Sequence, residues 1–139
     1  MAVKTGTFSL KTKGDNDIKD ITGEVGKCLS ASGLKEGIAN VFVAGSTAGV
    51  TTVEYESGLI YDLANMLDRL VPRNIEYRHD RAWGEGNGFS HVRASLLGAS
   101  LTVPFSGSHL TLGTWQQIVL IDFDNRPRER KVIVKMIGE

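Results

Sequence analysis

Polar side chains recur at four-residue spacing along the segment GNGFSHVRASLLG. In a helix, Asn87, His91 and Ser95 would share one stripe, because residues four apart lie on the same face. His79 and Asp80 lie just upstream in the segment YRHD. Two imidazoles beside a carboxylate are a minimal set for proton transfer or for binding a metal. The spacing leaves open the alternative that both histidines only make structural hydrogen bonds.

Acids and arginines elsewhere supply the other chemically useful groups. Glu54 and Glu56 are two residues apart in TTVEYE, so a strand there would present both carboxylates on one face. Glu54 would act as a general base or metal ligand if the GSTAG connection folded over it, and would otherwise face solvent. The segment NRPRERK contributes Arg128 and Arg130, whose planar guanidinium groups suit phosphate or carboxylate. Its alternative interpretation is a solvated turn.

Two further segments bear on a site. In GTWQQI, a strand with Trp115 in the core would turn Gln116 toward solvent, a cleft or a subunit contact. The glycines of WGEGNG lack the Lys and Ser or Thr of a phosphate-binding P-loop and do not follow a strand in a βαβ unit. They instead predict backbone N–H donors at the start of a helix, an environment that favours an anion. His109, in the turn SGSH, is interpreted as a surface residue.

The elements that must position these groups alternate between strand and helix patterns. Residues 2–12 predict a strand, and the apolar spacing after Asp17 predicts a helix that this residue caps and that Gly33 ends. The segments GIANVFVAG and GVTTVEYE predict two strands joined as a hairpin or short crossover. Ser57 is the expected cap of a second helix that Pro72 ends, and a polar loop follows over 73–88. After a short third helix, SLTVPF, TLGTWQQIVLIDFD and ERKVIVKMIGE predict strands.

This order predicts an α+β fold: a compact single domain over residues 1–139, with mostly antiparallel sheet backed by helices. Lys and Arg number 16, as do Asp and Glu, so no overall field attracts nucleic acid or an anionic membrane. The single cysteine, Cys28, fits a reducing compartment. Without a leader-like or membrane-spanning apolar run, we expect a soluble, cytoplasmic protein.

Three long segments resemble the YjbQ-like family, also called secondary thiamine-phosphate synthase, in its archaeal-type pattern. They are GSTAGVTTVEYESGLIYDL, YRHDRAWGEGNGFSHVRASLLGASLTVPF and LGTWQQIVLIDFDNRPRERKVIVK, and together they run nearly end to end. The succession of LGTWQQI and DFDNRPR is the most specific part. The resemblance implies a compact α+β domain that assembles as a homotrimer with clefts between subunits.

The resemblance also implies a site and an activity. The activity is the transfer of a hydroxymethylpyrimidine group from its diphosphate to a thiazole phosphate, and the alternative is a non-catalytic homotrimer that binds a metal or small anion. A divalent metal, zinc or magnesium, is implied, with Glu54 or Asp80 as magnesium ligands. Many relatives read HTTAG and GNGHSH where this chain has Gly45 and Phe89, which leaves one matched histidine pair. The implied roles are catalytic for Glu54, His91, Ser95 and Gln116, substrate-binding for Asn87, Arg128 and Arg130, and metal-binding for His79 and His91.

Overall fold

The computed structural model describes all 139 residues as eight strands and four helices. In chain order these elements are β1 (Ala2–Thr12), β2 (Asp17–Asp20), α1 (Thr22–Ser32), β3 (Gly37–Ala44), β4 (Ala48–Val53), α2 (Ser57–Leu70), α3 (Arg78–Trp83), α4 (Gly88–Leu97), β5 (Ser100–Ser106), β6 (His109–Leu110), β7 (Gln117–Asp122) and β8 (Arg128–Gly138). The strands form two sheets in which every pairing is antiparallel. The predicted α+β fold is therefore confirmed.

The two sheets face one another across the main core. One has the strand order β1-β8-β3-β5-β6 and the other β2-β7-β4. Side chains from both sheets meet in this core, and Val25 and Leu29 of α1 pack into it from one side. A second, smaller core lies on the other face of the three-stranded sheet, beneath α2 and α4. None of the four helices combines the length and apolar character that a membrane crossing requires.

Strand β7 is the central wall between the two cores. Its side chains alternate between them: Ile118 and Leu120 contribute to the main core, and Val119 and Ile121 to the smaller one. All four are essentially inaccessible to solvent. A strand that is buried on both faces is a near-continuous apolar run. Asp122, the charged residue at its end, is buried with the rest of the strand and therefore needs hydrogen-bond partners inside the protein.

The region after β1 differs from the predicted helix that begins at Asp17. Residues Asp17–Asp20 form strand β2, which pairs with Val119–Asp122 of β7, and α1 begins only at Thr22. A four-residue segment fits either period, and the ladder offered by β7 decides in favour of the strand. Gly33 ends α1 in the left-handed conformation, with φ 74°, as the sequence predicts.

Three other local predictions need correction. Glu56, rather than Ser57, caps α2, because its carboxylate accepts the N–H groups of Gly58 and Leu59. Residues Arg78–Trp83 inside the expected loop form the short helix α3. Strand β7 begins at Gln117 rather than in TLGTW, so Trp115 lies outside the core and is 72% exposed.

Arg93 is a fully buried cation that the sequence pattern did not reveal. Its Nε and Nη2 donate to the carbonyl of Val71 at the end of α2, and Nη2 also donates to Asp68. Its guanidinium therefore neutralises the negative end of α2 and fixes α4 beside it. Phe89 is buried between this guanidinium, 5.1 Å from its ring centre, and that of Arg73, 4.5 Å away.

Candidate functional site

The carboxylate of Asp122 organises the buried end of β7. It accepts two hydrogen bonds from Arg130, at 2.7 Å from Nε and 2.9 Å from Nη2, and a third from the Thr12 hydroxyl. The backbone N–H of Asp124 supplies a fourth, at 3.0 Å. Because Arg130 belongs to β8 and Asp122 to β7, this ion pair joins the two sheets. The arginine is thereby held in one orientation.

Asp124 forms the second centre of the same network. Its carboxylate accepts hydrogen bonds from the Thr47 hydroxyl at 3.0 Å, Arg128 Nε at 2.8 Å and the Asn125 N–H at 2.8 Å. Burial raises its pKa, but these bonds, with one from Asn87, outweigh that effect and hold the pKa below its ordinary value. We call Thr47, Asp122, Asp124, Arg128 and Arg130 the arginine–aspartate cluster.

His79 and His91 are brought together by α3 and α4. Their ring centres are 4.3 Å apart with the planes tilted by 53°, and no hydrogen bond within the chain engages either ring. The predicted pairing of these residues is therefore realised in space. The carboxylate of Asp80 is engaged elsewhere, because its Oδ1 accepts a hydrogen bond from the N–H of Gly88 at 2.8 Å. The anion at the start of α4 is thus a carboxylate of the chain itself, and not an open phosphate position.

His91 is held in its neutral form. Burial lowers its pKa most, and the neighbouring His79 lowers it further, while Asp124 and Glu85 act in the opposite direction. A neutral imidazole presents one N–H donor and one lone pair. Near neutral pH, His91 can therefore exchange a proton or a hydrogen bond with a ligand.

Asn87 connects the histidine pair with the arginine–aspartate cluster. It precedes α4 and is 2% exposed, and its Nδ2 donates to Asp124 Oδ1 at 3.4 Å. Its Oδ1 is the one buried side-chain polar atom that has no hydrogen-bond partner. Such an atom is costly to leave unpaired, which marks this junction as a place where a ligand group or water would be accepted.

The metal implied by the resemblance does not find a closed site here. No three His, Cys, Asp or Glu side chains come together in an arrangement that could hold an ion. The histidine pair supplies two nitrogens, whereas protein zinc sites use three or four protein ligands. Both oxygens of Asp124 are already engaged by donors, and Asp80 is bound to Gly88. Glu85 lies close enough to raise the pKa of His91, but it does not complete a group of three metal-binding side chains.

Three of the expected site residues lie outside this junction. Glu54 is exposed beyond the end of β4, and Ser95 is exposed on α4, where its hydroxyl donates to the His91 carbonyl at 2.9 Å. Gln116 donates to the Thr52 hydroxyl at 3.0 Å and lines a separate cavity of about 330 Å³. The predicted stripe of Asn87, His91 and Ser95 is thus divided between buried and exposed positions.

Three members of the arginine–aspartate cluster were missed by the sequence analysis. Asp122 and Asp124 are completely buried, and Thr47 is 4% exposed. The available signal was the pair of aspartates in DFD, which closes a strand of otherwise apolar residues. Buried carboxylates need cationic partners, and NRPRER follows at once.

Two packed antiparallel sheets, with a histidine pair beside a buried arginine–aspartate cluster, define a small α+β protein with one candidate site. The sequence pattern described as "UPF0047 protein YjbQ-like" matches residues 6–139. The chain therefore belongs to the YjbQ-like UPF0047 family. A UPF0047 protein of Archaeoglobus fulgidus is 38% identical over 130 residues, which are 94% of this chain and 98% of that protein.

Solved structures agree with this membership. A YbjQ-like protein of unknown function from Sulfolobus solfataricus superimposes with a TM-score of 0.89 at 30% identity, covering 99% of this chain and 100% of that one. A hypothetical protein from Aeropyrum pernix gives a TM-score of 0.90 at 32% identity, covering 98% of this chain and 99% of that one. The two-sheet fold is therefore the fold of the family.

The lowered pKa of His91 predicts a pH-dependent stability. Its value in the folded chain lies below its ordinary value of 6.5, so the unfolded chain binds more protons in this range. Stability should therefore fall as the pH decreases below about 6.5. In urea unfolding between pH 5 and 8, the free energy of unfolding should change less with pH for His91→Asn than for the parent chain. The exposed His109→Asn is the control and should show the same change with pH as the parent chain. The same pH dependence in all three chains would contradict a lowered pKa of His91.

Proposed function

We propose that this protein binds a phosphorylated small molecule between the arginine–aspartate cluster and the histidine pair. The observation that carries the proposal is the state of Arg130. Asp122 and Thr47 engage Nε and Nη2 of its guanidinium, while Nη1 has no hydrogen-bond partner in the chain. Arg128 is bound only through its Nε, so both of its terminal nitrogens also remain available. Such arginine donors match the geometry of phosphate oxygens.

Charge balance favours binding through oriented donors rather than through a strong positive field. The two arginines of the cluster offset its two buried aspartates, and Arg126 adds an exposed cation on the adjoining turn. His91 and the unpaired Oδ1 of Asn87 supply neutral polar groups beside them. This set suits an anion attached to a polar, neutral body, as in a phosphate ester of a heterocycle.

The reaction that we propose is the one implied by the family resemblance. The nitrogen of a thiazole phosphate attacks the methylene carbon of hydroxymethylpyrimidine diphosphate. The new C–N bond replaces the C–O bond, and pyrophosphate departs with the bonding electrons. Arg128 and Arg130 would hold the departing oxygens, whose charge grows in the transition state. Asn87 would orient the substrate, and His91 would exchange a proton or hydrogen bond with the pyrimidine.

Self-association as a homotrimer completes the proposal. The outer face of α4 leaves Val92 45% exposed and Leu96 63% exposed, and Trp115 is exposed as well. Apolar groups of this size favour contact with another protein surface. A cleft between copies would give Glu54 and Gln116, which lie outside the histidine junction, access to the ligand of a neighbouring subunit.

The alternative is binding without turnover. The same residues would then hold a small anion, or His79 and His91 would hold a divalent metal such as zinc, with the remaining ligands from solvent. The unbonded state of both imidazole rings favours this alternative. Neither function requires nucleic acid or a membrane, and we propose the cytoplasm as the compartment.

The test is native mass spectrometry with metal analysis, before and after addition of the two thiamine half-precursors. We expect a trimer, bound precursor and a new mass of thiamine phosphate, with stoichiometric release of pyrophosphate. Bound precursor without product would favour the non-catalytic alternative. A protein that neither binds nor converts the precursors would contradict the transferase, and a monomer would contradict the shared cleft.

A further inference from the structure

Gly45 lies directly over the unbonded nitrogen of Arg130. A Cβ atom built at this position would come within 2.7 Å of Nη1, which is closer than real Cβ contacts allow. The backbone of Gly45 does not adopt the left-handed conformation that would itself call for glycine. Glycine at position 45 therefore leaves space above Arg130, and is not required by the backbone conformation.

The guanidinium has little freedom to yield to a side chain at position 45. Two hydrogen bonds to Asp122 and one to Thr47 hold it on its other edges, and its side chain is only 8% exposed. Moving it would break charge-assisted bonds inside the protein, each worth more than a neutral one. Even a methyl group at position 45 would therefore compete with Arg130 for the same volume.

The open side of Nη1 faces the protein surface. Gly45 and Ser46 are exposed, and Nη1 is not among the fully enclosed polar atoms that lack a partner. A ligand atom that approaches over Gly45 thus reaches a charged donor whose other bonds are already made. Arg128 belongs to the same network, where it is bound to Asp124 through Nε, and its two terminal nitrogens make no hydrogen bond within the chain.

We infer that Gly45 is a specificity-determining residue that keeps Nη1 of Arg130 open to an oxygen of a phosphate or diphosphate group. This inference rests on the proposed phosphate site and names the part of the ligand that Gly45 admits.

The experiment is calorimetric titration of the full-length protein with pyrophosphate, comparing the parent chain with Gly45→Ala. We expect the variant to bind roughly ten- to a hundredfold more weakly, the effect of one charge-assisted hydrogen bond. Gly26→Ala is the matched control, since a Cβ at that position of α1 meets nothing within 4 Å. It should bind like the parent chain, and thermal unfolding should verify that both variants fold.

The possible results distinguish the role of Gly45 from the proposed phosphate site on which it rests. If the parent chain binds pyrophosphate and Gly45→Ala binds it equally well, the role of Gly45 is overturned and the phosphate site stands. If the parent chain does not bind pyrophosphate, both are overturned. Should Gly45→Ala fail to fold, NMR of the parent chain tests whether pyrophosphate binds at Arg130. Pyrophosphate should shift the Nε–H signal of Arg130 more than that of the fully buried Arg93, and equal shifts would overturn the inference.

Discussion

Replacing Asp122 by asparagine should lower the free energy of unfolding by about 3–5 kcal/mol, the usual cost of removing one partner of a buried ion pair. Asp122 is completely buried and accepts four hydrogen bonds, two of them from Arg130. An amide cannot balance the charge of that arginine, which would keep only the more distant carboxylate of Asp124, 3.9 Å from Nη2 and already bound to Arg128. Urea unfolding at pH 7 measures the loss directly.

Asp62→Asn is the matched control for this prediction. Asp62 is exposed on α2 and takes part in no ion pair, so the same chemical change should alter stability by no more than about 0.5 kcal/mol. A loss below about 1 kcal/mol in the Asp122 variant would contradict the view that its carboxylate holds Arg130 and ties the two sheets together.

Replacing His91 by alanine should reduce the proposed transferase turnover by about 10²–10⁴-fold, the usual contribution of a positioned acid–base group. Its imidazole is neutral near pH 7 and makes no hydrogen bond within the chain, so its nitrogens are free for the substrate. Pyrophosphate affinity should change far less, because Arg128 and Arg130 keep their own partners in Asp124 and Asp122. Single-turnover kinetics and calorimetry separate the two effects.

His109→Ala is the control, because His109 is exposed on β6 and its ring contacts only the carbonyl of Gly107. It should retain full turnover and full affinity. Parent-like turnover in His91→Ala would show that His91 has no role in the reaction. Equal loss of affinity and turnover would instead assign it to substrate binding.

The sequence predicted most of the longer elements, because their side-chain periods extend over many residues. The strand over Ala2–Thr12 and the helix before Pro72 were located correctly. The errors fall where a short segment takes its structure from a neighbour. Asp17–Asp20 becomes a strand because β7 lies beside it, and Trp115 leaves the predicted strand because the chain turns between Gly113 and Gln116.

The candidate site was predicted in part. The pairing of His79 with His91 is real, but it depends on a helix, α3, that the polar composition concealed. Arg128 and Arg130 were predicted to contact an oxyanion, which stays a prediction, while the aspartates that hold them were not predicted. The aspartates lie only four and eight residues before the arginines that they bind, but the sequence does not show that their side chains are buried. Thr47 could not be found from a local pattern, because the crossover between the two sheets brings it to Asp124 and Arg130 from more than 70 positions away.

The sequence by itself determined the fold class and the chemical groups available, because hydrophobic periods and residue types are local properties. Only the tertiary structure decided which groups meet. It pairs Arg130 with Asp122, fills the start of α4 with Asp80, and leaves Nη1 of Arg130 open beside Gly45. These choices depend on distances between β7, β8 and the crossover, which are fixed by the packing of two sheets and not by spacing along the chain.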